Sequence, residues 1–393
     1  MKFFRDISSF HLDWTLVFLF TTILGAGLVT LASASFASAH HLYGDELYFI
    51  NRQFFAILIG LICLFVAIKI PIDTFEKYSG VFLVASLVLL VLVFVPGVGQ
   101  LRNGSLRWIN LGFISLQPSE LAKIFLGIYF CSYAYRHHIK LRTTFLGLIR
   151  PLLVLLVSGA LLYMEPDFGS TIVMTSIILL ILYIGGARYF HIFILGSSLT
   201  VMFYYLTYLE PYRVKRIFGF LEPWADPFDT GFQLTQSLMA IGSGGISGLG
   251  LGNSVQKLHY LPEAHTDFVF SVFAEEFGFI GCTILVALFT ILVFKILSIA
   301  KEAFQQGQHF HGLLSFFLGI HLASSFFLNI AVSIGLVPTK GLALPFFSYG
   351  RSSLIVSIFC MGLALRIAHE VNKFNDVMNA RKAYRSTLIG EAL

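Results

Sequence analysis

The chain has 393 residues, of which 57% are apolar and 12% charged, with a mean hydropathy of +0.82. This composition excludes a disordered chain, a collagen-like repeat, a disulfide scaffold and a string of water-soluble domains, and marks an integral membrane protein. A formal net charge of only +5 gives nucleic acid no electrostatic footing.

A helix needs about 20 apolar residues to cross the hydrocarbon layer. Ten runs qualify: 14–33, 51–70, 78–95, 118–135, 146–164, 169–186, 190–209, 267–297, 310–334 and 350–369. The first follows Lys2 and Arg5 and precedes the small residues Ala37, Ser38 and Ala39, imitating a secretory signal with its cleavage site. Its apolar core is longer than such a signal requires, so it is expected to stay as the first span. With the N-terminus inside, the inner segments carry sixteen Lys and Arg against nine outside, which places both termini in the cytoplasm.

The expected fold is an all-α integral membrane protein with ten transmembrane helices and a large extracytoplasmic loop between the seventh and eighth. Residues 1–13 form a cytoplasmic tail, 14–370 the polytopic membrane domain, and 371–393 a basic cytoplasmic tail. The cysteines, Cys63, Cys131, Cys282 and Cys360, fall in or beside apolar runs and read as small buried residues.

Two outer segments are long enough to do more than connect helices, 96–117 and 210–266. Within the second, apolar residues over 232–241 are spaced for a short helix lying along the membrane face, as a lid would. Residues 242–252 contain six glycines in eleven positions. They form either a flexible loop or a nest of N–H groups for an anion, and without a preceding strand or a Walker lysine they do not read as a nucleotide site.

Asp267 stands where this loop enters the eighth span. Either Thr266 or Asp267 caps the helix, or Asp267 is a general base at the membrane surface. Capping lowers a carboxylate's pKa and base catalysis wants it raised, so the two readings predict opposite proton affinities. Glu263, His265 and Asp267 also offer three ligand types in five residues for a divalent cation. Glu120 and Lys123, three apart on the fourth span, are placed to neutralise each other. Glu275 and Glu276 lie too deep to stay unpaired, and an arginine partner, protonation or a hydrated cavity would each satisfy them. Arg102, Arg107, Lys340 and Arg351 come from separate outer segments that folding can gather around a phosphate, although lipid headgroups are the commoner fate of such cations.

The chain resembles the SEDS family of shape, elongation, division and sporulation proteins, which includes RodA and FtsW. The resemblance covers nearly the whole chain. It is carried by Arg107-Trp108-Ile109-Asn110-Leu111-Gly112, Gln117-Pro118-Ser119-Glu120-Leu121-Ala122-Lys123, Glu165-Pro166-Asp167-Phe168-Gly169-Ser170, Leu261-Pro262-Glu263-Ala264-His265-Thr266-Asp267-Phe268, Ala274-Glu275-Glu276-Phe277-Gly278, Gly335-Leu336-Val337-Pro338-Thr339-Lys340-Gly341 and Pro345-Phe346-Phe347-Ser348-Tyr349-Gly350. The stretch from Pro262 to Asp267 is more similar to division-type FtsW than to elongation-type RodA. Arg351 departs from the family, which usually has a second glycine after Tyr-Gly, and the tail before the first span is short for a division-type member.

The resemblance implies a peptidoglycan glycosyltransferase in the bacterial cytoplasmic membrane, with Asp267 matching the aspartate required for polymerisation. It further implies lipid II on the outer leaflet as substrate and, as partners, a class B penicillin-binding protein with other division or elongation proteins. Lys340 and Arg107 are expected to neutralise the departing pyrophosphate, with Lys123, Glu120, Arg102, Glu263, His265, Glu275 and Arg351 completing the substrate site. No cofactor is firmly called for; a divalent Mg or Mn ion is the one candidate, and it comes from the Glu263, His265 and Asp267 cluster rather than from the resemblance. The alternatives are a lipid II flippase, a RodA-like elongation polymerase and a noncatalytic scaffold.

Overall fold

The structure, a computed structural model, describes residues 11–102, 105–110, 115–209 and 211–390. Leu111 and Gly112 of the first motif, Glu210 and the cations Lys2 and Arg5 lie outside the described residues. The chain runs through α1 (Trp14–Tyr43), α2 (Tyr48–Lys69), α3 (Ile72–Lys77) and α4 (Ser79–Leu92) into strands β1 (Gly99–Arg102), β2 (Ser105–Asn110) and β3 (Ser115–Leu116). It continues as α5 (Pro118–Arg136), α6 (His138–Thr143), α7 (Leu146–Met164), α8 (Phe168–Ile184), α9 (Tyr189–Tyr208), α10 (Pro211–Leu221) and α11 (Phe232–Ser243). Three long helices follow: α12 (Val269–Gln305), α13 (His309–Ser333) and α14 (Arg351–Gly390).

Apolar runs become helices because hydrocarbon offers backbone groups no partner except one another. Every one of the ten expected runs is helical. Seven described helices, α1, α2, α7, α9, α12, α13 and α14, are long and apolar enough to cross a membrane. Of the other three, α4 and α8 have 14 and 17 residues, and α5 carries Glu120, Lys123 and Arg136. The chain is a multi-pass membrane protein. Its spans pack chiefly as α2 against α14, α12 against α13 and α4 against α5, while α9 buries only Leu199. All four cysteines are free, with Cys131 and Cys360 buried but Cys63 and Cys282 only partly so.

Four features depart from the sequence reading. The segment 96–117 is not purely loop: β1, β2 and β3 form an antiparallel sheet with Gly99 opposite Ile109, Arg102 opposite Ser105 and Ile109 opposite Leu116. The fold is therefore helical with a small β meander at one end. The second departure is α12, whose helix breaks at Gly278 (φ 65°, ψ −166°), a conformation that only glycine adopts without strain.

The glycine-rich stretch docks against this break. Leu249 and Gly250 N–H groups donate to the Glu275 and Glu276 carbonyls, and Phe279 and Ile280 N–H groups donate to Gly245 and Ile246 carbonyls, all at 2.9–3.1 Å. Backbone groups left over by the break are thus satisfied by the loop, which corrects its expectation as flexible. The predicted lid, α11, is fastened to the bundle by one face, where Ser237 Oγ lies 2.6 Å from Ser271 Oγ and donates to the Ser333 carbonyl at 2.7 Å.

Candidate active site

Asp267 lies in the last turn before α12, but it caps nothing. The N-cap position is Phe268, with no side-chain cap hydrogen bond. Glu263, in the left-handed region at φ 55°, organises the turn by accepting backbone bonds from Thr266 at 3.1 Å and Phe268 at 3.3 Å. Buried Leu261, Ala264 and Phe268 fasten it to the bundle.

The facing wall is the connection between α13 and α14. Asn329 Nδ2 donates both to the Asp267 carbonyl at 2.8 Å and to the Leu342 carbonyl at 2.5 Å. The Asp267 carboxylate rests on Gly341, where a Cβ would come within 2.8 Å of Oδ2. Only a residue without a side chain permits that approach. Tyr349 N–H donates to the His265 carbonyl at 2.8 Å, and Gln53 Nε2 donates to the Ser348 carbonyl at 3.0 Å, tying α2 to the same wall.

Among the described residues, none donates a hydrogen bond to the Asp267 carboxylate. Burial, reinforced by Glu263, pushes its pKa up to about 7, against the opposing pull of Arg216 and Arg107. Asp267 is therefore not the helix cap, and its proton affinity is shifted upward, the direction opposite to the one capping would give.

Arg216 and Arg107 act on this carboxylate electrostatically from two elements, and a third cation, Lys340, lies on the facing wall. Lys340 precedes Gly341, and its stem packs on Gly169 at the start of α8, where a Cβ would lie 2.9 Å from Lys340 Cδ. Burial lowers its pKa, with Asp167 acting the other way, and Lys340 has no ion-pair partner among the described residues. Arg107 on β2 donates through Nε to the Glu165 carbonyl at 2.9 Å and through Nη2 to the Pro166 carbonyl. The sheet thereby aims a guanidinium across the turn between α7 and α8. Arg216 on α10 donates to the Thr339 carbonyl at 3.2 Å.

Lys123 and Glu120 form the expected pair at 2.6 Å, and Lys123 also lines a small cavity with Ser170, His321, Ser325 and Leu342. Glu165 is fully buried, neither of its carboxyl oxygens has a partner among the described residues, and burial pushes its pKa up to about 8.

Other candidates are placed differently. Arg351 Nη2 donates to Ser115 Oγ at 2.5 Å, so it ties α14 to β3. The side chain of Arg102 lies outside the described residues. The His265 ring packs between Phe49 and Tyr349 at 4.5 and 5.9 Å, its pKa is lowered by burial, and the Glu263 carboxylate accepts from Thr266 Oγ1 at 2.7 Å. Glu263, His265 and Asp267 are therefore not gathered into a ligand set, and no group of three or more potential ligands is found among the described residues.

Glu275 lies away from the site. Its carboxylate accepts from Ser254 Oγ at 2.5 Å and from the Val255 and Gln256 N–H groups at 3.1 and 3.4 Å, anchoring the loop. Glu276 pairs with Lys257 at 2.8 Å and accepts from Ser33 at 2.5 Å, so its partner is a lysine from the loop rather than an arginine. Sequence reasoning missed Arg216, Asn329 and Glu165 as site residues. Glu165 alone carried a signal, as an acidic residue at a span end inside a family motif.

The FtsW/RodA/SpoVE family of cell cycle proteins matches residues 12–373. The chain belongs to this family. It is 44% identical over 360 residues to a probable peptidoglycan glycosyltransferase FtsW of Thioalkalivibrio sulfidiphilus, covering 92% of this chain and 90% of that one. A protein of the same description from Saccharophagus degradans is 40% identical over 366 residues, with coverage of 93% and 95%. Among solved structures, a chain of a peptidoglycan synthase complex that coordinates polymerization and crosslinking superposes with a TM-score of 0.76 at 29% identity, covering 92% of this chain and 98% of the other. The rod-shape-determining protein RodA of Thermus thermophilus superposes with a TM-score of 0.67 at 27% identity, with coverage of 91% and 97%.

Proposed function

We propose that this protein polymerises lipid II into glycan strands at the outer face of the bacterial cytoplasmic membrane, in the service of cell division. Both termini lie in the cytoplasm on this reading, and the sheet, the α10–α11 loop and Asp267 face outward. Asp267 takes the proton from an acceptor sugar hydroxyl as that oxygen bonds to the donor's anomeric carbon. The bond from that carbon to the lipid pyrophosphate breaks, and the electron pair leaves with the phosphate oxygen. Lys340 and Arg107, with Arg216 beside them, offset the developing negative charge. A partly buried lysine without a carboxylate partner is suited to that task, because the incoming phosphate supplies its counterion. A class B penicillin-binding protein is the proposed partner that crosslinks the product.

One observation carries the reading: a desolvated carboxylate with no hydrogen-bond donor among the described residues rests on Gly341, in a family member whose relatives are described as peptidoglycan glycosyltransferases. The flippase alternative loses two of its intramembrane groups, since Glu275 and Glu276 are committed to holding the loop. The test is gel analysis of glycan made by purified protein from lipid II. Wild type lengthens the chain and Asp267→Asn does not, with a loss of at least about a thousandfold, inside the range for removing a positioned base. Chain growth by the Asn variant at the wild-type rate refutes the proposal.

A further inference from the structure

Asn329 is buried in α13, at 1% exposure, and its amide spans two segments that no covalent path keeps close. One N–H holds the backbone of Asp267 at the end of the long loop, and the other holds Leu342, two residues beyond Lys340. Both partners are carbonyls, so the amide nitrogen must face them. The amide oxygen is left buried with no partner among the described residues. An unpaired buried acceptor is unfavourable, and an apolar residue of similar shape avoids it. The position therefore makes poor sense as packing alone, and good sense if the two bonds have a use.

We infer that Asn329 is a positioning residue for glycan polymerisation, a clamp that holds the Asp267 carboxylate against Gly341 and in register with Lys340. The inference rests on the proposed function and deepens it. With the clamp in place, Asp267 faces Glu263 from its own loop, Arg216 from α10, Arg107 from β2 and the Lys340–Gly341 wall. Without it, the turn before α12 moves away from Gly341 and water reaches the carboxylate. Solvation favours the charged form, so the base becomes weaker as well as misplaced. A base displaced by about 1 Å costs on the order of a hundredfold in rate.

The experiment uses the full chain, purified with lipid II as substrate, and measures kcat, KM and the pH dependence of kcat. Asn329→Ala is expected to keep KM within about twofold, lower kcat about a hundredfold, and move the acid limb of the rate to lower pH. Asn329→Ser keeps one donor and gives an intermediate kcat, and it carries the comparison if the Ala variant fails to insert. A folded variant with wild-type kcat overturns the inference. So does a reduced kcat with the acid limb unmoved, which is the signature of general loosening. Wild type and Asp267→Asn run beside them separate the two levels. Polymer made by Asp267→Asn defeats the proposed function, whereas a normal Asn329→Ala beside an inert Asp267→Asn defeats only the clamp.

Discussion

Asp267 and the pair Glu275–Glu276 stand on one stretch of chain, yet their surroundings are opposites. The two glutamates are 1% exposed and have partners on the docked loop: Ser254, two backbone N–H groups, Lys257 and, from α1, Ser33. Asp267 is partly buried, is fixed through its backbone, and receives no hydrogen bond on its carboxylate among the described residues. The glutamates spend their hydrogen bonds and ion pair on holding the loop to the helix break, whereas burial of the Asp267 carboxylate pushes its pKa up. On the proposed mechanism, the difference separates acidic residues that hold the loop from the one that takes the proton.

The largest expected effect breaks the comparison on its functional side. Asp267→Asn removes chain growth but leaves stability intact at pH 8. Burial raises the folded-state pKa of this group above its ordinary 3.8, so the folded state holds the extra proton between about pH 4 and 7 and forfeits that advantage as pH rises. Replacing the carboxylate removes a destabilising term in alkaline solution, and the variant melts no lower than wild type in detergent.

Glu276→Ala tests the other side. It leaves Lys257 buried and unpaired, which costs about 3–5 kcal/mol when such pairs are broken from one side. A lowered melting temperature with normal turnover per folded molecule is expected, and the double replacement Lys257→Met with Glu276→Met restores most of the loss. Equal loss of turnover per folded molecule in Glu276→Ala contradicts the division of roles.

A smaller effect is expected at Arg107. Its planar fork directs two nitrogens at two adjacent carbonyls, a fixed geometry that the compact ammonium of lysine on its flexible stem does not reproduce. Arg107→Lys keeps the charge but loosens the tie between β2 and the α7–α8 turn, and a loss of turnover of about tenfold, equal to roughly 1.4 kcal/mol of barrier, is the outcome to measure.

Much of this architecture was legible in the sequence because hydrocarbon makes helix formation obligatory wherever the apolar run is long enough. The ten runs and the Glu120–Lys123 pair follow from local spacing alone. The meander was not legible, since β1 and β2 mix Gln100, Arg102, Ser105, Arg107 and Asn110 with apolar residues over strands of four and six residues. The docking of the glycine-rich loop was hidden because it depends on Gly278 breaking a helix that hydropathy draws as continuous. Asn329 and Arg216 act through bonds to carbonyls of residues 62, 13 and 123 positions away, distances at which spacing carries no information. Even for Asp267, position in the chain left cap and base equally open, and the fact it lacked was that Phe268, not Asp267, takes the N-cap position.

The most direct measurement is the pH dependence of kcat/KM for chain growth from lipid II. It is best made in a Glu165→Gln background, which removes the other carboxyl pushed upward, to about 8. A base with its pKa pushed up to about 7 predicts a rate that falls about tenfold per unit below that pH and levels off above it. A limb centred near pH 4, where an ordinary aspartate titrates, contradicts the claim that a desolvated Asp267 accepts the proton.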